Sequence, residues 1–278
     1  VHLGDRLQVE GNTVGLRALG SEYIYEYGRR LPNVQGAGLS LQEMSLLDDT
    51  LSLLSFSRPE QKMFLGGWLA ISGICGVLHW RPHVWVAGEQ GSGKSTIVDS
   101  VVRPFTAAFT QLHVQGATTE AGMRQSLKSS AIPVLFDEFE SNTERAAARV
   151  DAVVELFRQA SSDTGGVIAK GSATGEATEY HARFSGLVSS IGTNLANGAD
   201  RSRFTLIELR KIHGDTGQWE KLVSLMSGLT PEYTRRFFAR MVSLVPVILE
   251  NQKRLQKAFA AKHSQRFGQQ YGTLLAGW

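Results

Sequence analysis

The 278-residue chain has one cysteine, seven prolines and little net charge, its 29 Lys and Arg standing against 26 Asp and Glu. A single thiol, Cys75, excludes an internal disulfide framework and a cysteine-built zinc site, and it fits a reducing, cytoplasmic setting. There is no internal repeat or low-complexity tract, and ordinary proportions of apolar and charged residues argue against a fibre or long disorder. Long apolar runs are scarce as well. The one candidate, Met63 to Trp80, is uncharged but diluted by Gly66, Gly67, Gly73 and Gly76. A membrane span needs roughly 20 predominantly apolar residues, so this run reads as a buried core helix and no membrane partner is expected. The chain opens on Val1 rather than methionine, so an additional upstream module is an expectation.

The charge that is present is unevenly placed. Beyond residue 230, Arg235, Arg236, Arg240, Lys253, Arg254, Lys257, Lys262 and Arg266 face only Glu232 and Glu250. Contact with an acidic polymer and a solvated helix face both fit that pattern.

Three regions follow from the pattern. Residues 1–55 form a lead-in, with strand-like patches in "TVGLRAL" and "EYIYEYGRRL" and then a helix from Ser40 to Leu54. Residues 56–212 open with a helix over Glu60 to His79 and then alternate strands with helices: "HVWVAG", a helix from Lys94, "QLHVQG", a helix from Glu120, "IPVLFD", a long helix, a hairpin, and "GLVSSIGTN". Such alternation predicts an α/β domain with a central, mostly parallel sheet flanked by helices. Ser141 and Glu144 have the spacing of a capping box at the start of the long helix. Residues 213–278 read as a basic helical segment interrupted near Gly228 and Pro231.

"VWVAGEQGSGKSTI" carries the chemistry. Its Gly88-x-x-x-x-Gly93-Lys94-Ser95 pattern, standing between an apolar strand and a helix, is that of a phosphate-binding loop. In such a loop, backbone N–H groups curl around phosphates, the lysine reaches the β- and γ-phosphates, and the serine hydroxyl holds Mg²⁺. The residues placed around ATP are therefore Gly88, Glu89, Gln90, Gly91, Ser92, Gly93, Lys94, Ser95 and Thr96.

The loop alone does not separate kinases, switches and motors. "AIPVLFDEFE" adds a strand running into two carboxylates, 43 residues after Lys94. Asp137 is assigned to Mg²⁺ through water and Glu138 to the general base for hydrolysis. No acceptor site for a kinase is evident. At the end of "GLVSSIGTN", Asn194 either positions the attacking water or caps a turn. In "NGADRSRFTLIEL", Arg201 and Arg203 precede an apolar strand. They read either as stabilisers of transition-state charge on a neighbouring subunit's nucleotide or as surface ion-pair residues.

In this order, the loop, "LFDEFE", the hairpin "VIAKGSATGEATEYHARF", "SSIGTN" and "ADRSRFTLIEL" resemble the AAA+ helicase domains of phage and plasmid primase-helicase proteins, related to superfamily III helicases. "YIYEYGRRLP", "GWLAISGICGVLHWRPHVWVAG" and "VQGATTEAGMRQSL" resemble that group too, so the likeness covers roughly residues 20 to 210. It implies an AAA+ P-loop ATPase acting as a homo-oligomeric, usually hexameric, ring that threads single-stranded DNA and often carries a primase module upstream. By the same resemblance the glycine loop is Walker A, Asp137 and Glu138 are Walker B, and Asn194 is sensor 1. The arginine finger falls on Arg201 or Arg203. Lys170 in the hairpin becomes the leading DNA contact, with Arg183 in support because Glu176 and Glu179 leave the return limb acidic. The competing reading of the hairpin is a plain edge element with a protective lysine. The competing function is an AAA+ ATPase that loads or remodels a protein partner without unwinding DNA.

Overall fold

The computed structural model describes residues 1–278 except 19, 23, 24, 26, 35, 140–143, 164–167, 172–176, 194–197 and 212–215. Strands β1 (Arg6–Val9) and β2 (Asn12–Gly15) form a hairpin, turned by Glu10 and Gly11 at positive φ. Among the described residues of 16–40 no further strand forms; Tyr23, Ile24 and Glu26 of the strand expected over "EYIYEYGRRL" lie outside them.

Helix α1 (Leu41–Ser52) begins at a capping box. Ser40 Oγ accepts from Glu43 N at 3.2 Å, and Ser40 N donates to Glu43 Oε2 at 2.7 Å, so two of the orphan donors at the helix start are satisfied. Helix α2 (Gln61–Ser72) is shorter than the Glu60 to His79 span expected. It stops at Gly73, whose face is closed by the Phe109 ring, and a single 3₁₀ turn at Cys75–Val77 leads to the sheet. Leu65, Trp68, Leu69 and Ile71 are fully buried, as a core helix requires. Among the described residues no helix is long and apolar enough to cross a membrane.

The central sheet is built from β3 (His83–Gly88), β4 (Leu112–Gln115), β5 (Val134–Asp137), β8 (Gly186–Ser190) and β9 (Phe204–Leu209), and every pairing in it is parallel. Its spatial order is β4-β5-β8-β3-β9. Between β3 and β4 runs a continuous helical stretch: α3 (Lys94–Ile97), a π turn at Val98–Val102, and α4 (Arg103–Ala107). The wide turn lies just before Pro104, which lacks the N–H that an α-helix interior needs. Helices α5 (Glu120–Leu127) and α6 (Glu144–Ala160) lie on the other face.

The period-two pattern of the strands makes this layering visible. Val84, Val86, Leu135, Leu187 and Ile207 join the core with α3 and α4, while Trp85, Val134, Phe136, Val188 and Phe204 join the core with α5 and α6. The residue predicted as a cap for α6, Ser141, lies outside the described residues.

After α6, β6 (Ile168–Gly171) and β7 (Ala177–Tyr180) pair antiparallel as a sheet of their own, unattached to the central one. Helix α7 (Gly198–Arg201) precedes β9, and the chain closes with α8 (Thr216–Ser227), α9 (Pro231–Ser243), α10 (Val245–Lys262) and α11 (Gln265–Gly277). The break before α9 has a clear cause: Thr230 accepts from Tyr233 N, and Pro231 follows as the first helical residue. Residues of α8 to α11 share a core with α1 and α2. Arg236 on α9 grips both carboxylate oxygens of Glu43 on α1, at 2.6 and 2.8 Å.

The outer edge of β9 is covered by the segment before α2. Ser57 N donates to Glu208 O and Arg210 N to Ser55 O, while the buried Gln61 accepts from Glu208 N and donates to Leu206 O. An edge that would otherwise offer free backbone groups is thereby closed.

Candidate functional site

The glycine-rich segment leaves the C-terminal end of β3, the end of a parallel sheet at which ligands of open α/β folds bind. Its conformation demands glycine at particular positions. Gly91 and Gly93 have φ of +81° and +80°, the left-handed region that a side chain disfavours. A Cβ on Gly88 would run into Ser92 Oγ and stand 3.1 Å from Leu209 O. Ser92 N donates to Glu89 O, tightening the turn, and Ile97 N donates to Gly93 O, starting the helix at Lys94. Glu89, Gln90 and Ser95 are exposed, and Gly93, Lys94 and Thr96 are half-buried.

Buried hydroxyls test whether this end suits a polar ligand. Ser92 Oγ in the loop and Ser189 Oγ near the tip of β8 have no hydrogen-bond partner among the described residues. Orphaned hydroxyls are rare in a folded interior, and both sit at the same end of the sheet as the loop. With the glycine curl, the residues present fit a phosphate group and the hard, oxygen-seeking cation that accompanies it.

Strand β5 brings the carboxylates to that end. It is separated from β3 by β8, so with neighbouring strands about 4.8 Å apart the tips of β3 and β5 lie roughly 10 Å from one another. Asp137 is partly buried and its Oδ1 accepts from Glu138 N at 3.0 Å. Glu138 has φ of +54°, an uncommon conformation for a residue with a side chain, and it is exposed. Such strain costs on the order of 1–2 kcal/mol and persists only where the surroundings enforce it. Here Phe139 does so: it is buried against Trp85 and Phe136, and its N–H donates to Ser189 O. The chain must turn sharply between Asp137 and Phe139. Strand β8 ends at Ser190 rather than at the expected Asn194; Thr193 is exposed beyond it, and Asn194 lies outside the described residues.

Two residues that sequence reading missed flank the loop. Lys211, just past β9, pairs with Glu89 at 3.5 Å, and its Cε lies 3.8 Å from where a Cβ on Gly91 would stand. Trp219 on α8 lies 4.0 Å from the corresponding point on Gly93 and is 37% exposed. The sequence signal misled here. Trp219, Leu222, Val223 and Met226 have core spacing on a helix, yet only Leu222 and Met226 are buried.

Arg201 and Arg203 are elsewhere. His83 of β3 lies beside Phe204 of β9, and Gly88 beside Leu209, so Arg203 stands at the opposite end of the sheet from the loop. Six strand residues at about 3.3 Å each separate them by roughly 20 Å. Neither arginine can reach a phosphate held by its own chain's loop.

Arg203 is partly buried. Its Nη1 donates to Ala199 O at 2.7 Å, its Nε has no partner among the described residues, and burial with Arg266 and Arg158 nearby lowers its pKa. Arg81 is fully buried at this same end, donating to Ala160 O, Leu78 O and Asp163 Oδ1. Arg266 lies over the Trp80 ring at 4.5 Å.

The hairpin leaves this far end too. Trp80 bridges Ser162 before it, and Ser185 Oγ donates to Pro82 O after it. Lys170 stands one pair back from the end of the ladder, opposite Thr178. Its side chain, like the turn residues Ser172, Ala173, Thr174, Gly175 and Glu176, lies outside what is described. Tyr180 on the return strand packs under the Arg124 guanidinium at 4.5 Å, anchoring the hairpin to α5. Arg183 is exposed between the hairpin and β8.

No protein-family model and no curated protein matches this chain. Among solved structures it is similar to the NrS-1 C-terminal region. One apo structure of that region is 14% identical with a TM-score of 0.48, covering 91% of this chain and 61% of the other. A second is 12% identical with a TM-score of 0.42, covering 92% and 63%. The chain thus spans about three fifths of the length of these structures.

Away from the loop, a groove of about 470 Å³ lies between α1, α2, α9, α10 and α11, lined mainly by apolar side chains such as Leu41, Phe237 and Trp278. No loop residue borders it.

Proposed function

We propose that the chain is an ATP-hydrolysing motor whose active site is shared between neighbouring copies, and that it moves on single-stranded DNA as part of a replication protein. The observation that carries this reading is the split between the two ends of the sheet: a phosphate cradle with two carboxylates at one end, and an arginine cluster roughly 20 Å away at the other. One copy's loop and the next copy's Arg201 or Arg203 form a complete site only when the copies stack head to tail. Heterologous contacts of that kind close into a ring when the rotation between successive copies closes.

Within one site, the loop's N–H groups and Lys94 hold the triphosphate. Ser95 and Asp137 are the groups that would hold Mg²⁺, which neutralises charge between the β- and γ-phosphates when bound. Glu138, turned outward by its left-handed backbone, takes the proton from the attacking water. An arginine from the neighbour then stabilises charge on the transferring phosphoryl group.

The DNA-tracking role belongs to the hairpin with Lys170 and Arg183. It emerges at the arginine end, so contacts there and nucleotide chemistry in the adjoining copy share one junction. A ring of lysines would grip phosphates through contacts that weaken with salt.

The deciding experiment measures ATPase rate and particle mass with and without single-stranded DNA. DNA-stimulated turnover by an oligomer supports the motor. Turnover by an oligomer indifferent to DNA favours the remodelling ATPase, and a monomer under all conditions refutes the shared site.

A further inference from the structure

We infer that Trp219 is the platform on which the purine base of the nucleotide stacks, an inference that rests on the reading of loop 88–95 as a triphosphate cradle. Two side chains stand over the open faces of the two left-handed glycines, and they differ in chemistry. Lys211 borders Gly91 and Trp219 borders Gly93; apart from the adjoining residues of the chain, no other atom of the described residues comes within 4 Å of a Cβ built at either position. A cation over one part of the loop and an indole over the next match a ligand that is anionic at one end and aromatic at the other. A nucleoside triphosphate has that composition, and inorganic phosphate lacks the second half.

Exposure points the same way. Tyr27, Trp219 and Trp278 are the large aromatic side chains that stand more than a third exposed among the described residues, and Trp278 is spent against Gly66 on α2. Trp219 keeps 37% of its surface open while lying against the loop. One turn further along α8, on the same side, Val223 is 45% exposed and lengthens the apolar surface beside the ring.

The platform is rigid. Leu222 and Met226, one and two turns further along the same side of α8, are buried in the main core, and Gln218 Nε2 donates to Leu53 O at 3.0 Å. A flat ring held by a fixed helix loses little freedom on stacking, and base–aromatic stacking tolerates any purine because every base has a π-face.

The test titrates the full chain, in Mg²⁺, with adenylyl imidodiphosphate and separately with inorganic tripolyphosphate. Trp219→Ala is expected to weaken the adenine nucleotide by about 10- to 100-fold, the scale measured for losing one base–aromatic stack. Tripolyphosphate should bind that variant as it binds wild type, and Trp219→Phe should restore nucleotide affinity to within a few-fold. Unchanged nucleotide affinity in Trp219→Ala overturns the inference. So does an equal loss for both ligands that Trp219→Phe does not restore, because the ring would then be supporting the loop rather than the base. If wild type binds neither ligand, the cradle itself is misread and the platform falls with it.

Discussion

Acid should weaken this fold through one histidine, at a rate set by where that histidine sits. His83 is fully buried at the first position of β3, its ring within 5.0 to 5.7 Å of the centroids of Phe157, Phe184 and Phe204. Nδ1 accepts from Gly186 N at 2.9 Å, so the ring's proton is on Nε2, which donates to Phe157 O at 2.7 Å. A second proton would point at an N–H. Burial, assisted by the nearby Arg81 and Arg203 charges and opposed by the bond to Phe157, pushes the pKa down from 6.5 to about 3.

The unfolded chain therefore takes up a proton below pH 6.5 that the folded chain refuses down to about pH 3. Stability from this group is fully present above pH 6.5 and is lost as pH falls toward 3. Each pH unit in that window costs about a factor of ten in the folding equilibrium, on the order of 2 kcal/mol by pH 5. Glu43 and Asp163, held below the usual carboxylate range by their arginine partners, act only at lower pH.

Urea unfolding at pH 7, 6 and 5, followed by circular dichroism, reads the slope directly. His83→Asn keeps a polar group for Gly186 but cannot titrate, so it should start less stable and show a flatter dependence on pH. A wild-type unfolding free energy that is constant from pH 7 to 5, or an unchanged slope in His83→Asn, refutes the argument.

The remaining predictions concern the chemistry. Glu138→Gln should bind ATP yet hydrolyse it about 10²- to 10⁴-fold more slowly, the usual contribution of a positioned base; rapid turnover in a single-turnover assay would remove Glu138 from that role. Arg203→Ala should lower ATPase activity about 10³- to 10⁵-fold, the usual worth of a finger, and mixing it with Lys94→Ala protein should restore part of that activity, because an intact loop then meets an intact finger at some junctions. No restoration on mixing, or near-normal ATPase activity in both Arg203→Ala and Arg201→Ala, would remove the arginines from that role. Lys170→Ala should spare ATPase activity without DNA and reduce both DNA stimulation and strand separation; unwinding at the wild-type rate would make the hairpin structural.

Much of the fold was legible because its signals are local. Helix starts at Ser40, Thr119, Thr230 and Ser264 follow from a polar side chain that accepts a backbone N–H three residues on. Strands alternating with helices imply a parallel sheet, since parallel neighbours need a crossover. Less legible was where elements stop. The run from Met63 to Trp80 is uniformly apolar, but the helix ends at Gly73, against which the Phe109 ring, 36 residues later, packs. "EYIYEYGRRL" has the composition of a strand, yet its described residues join no ladder, and Gly28 N and Leu31 N donate instead to Gly4 O and Leu3 O.

The candidate site divides in the same way. Spacing alone marked the glycine-rich loop, since Gly88, Gly91 and Gly93 are positions where backbone geometry or close approach disfavours a side chain, and such demands are written residue by residue. It also determined that Asp137 and Glu138 close an apolar strand. Only the tertiary structure decided that β8 lies between β3 and β5, that Arg203 stands at the far end of the sheet from the loop, and that Trp219 faces the loop instead of the core. Those three facts depend on pairings between residues far apart in the chain. Strand order, register and the face a helix turns inward are settled by packing the whole core, which local sequence pattern does not encode.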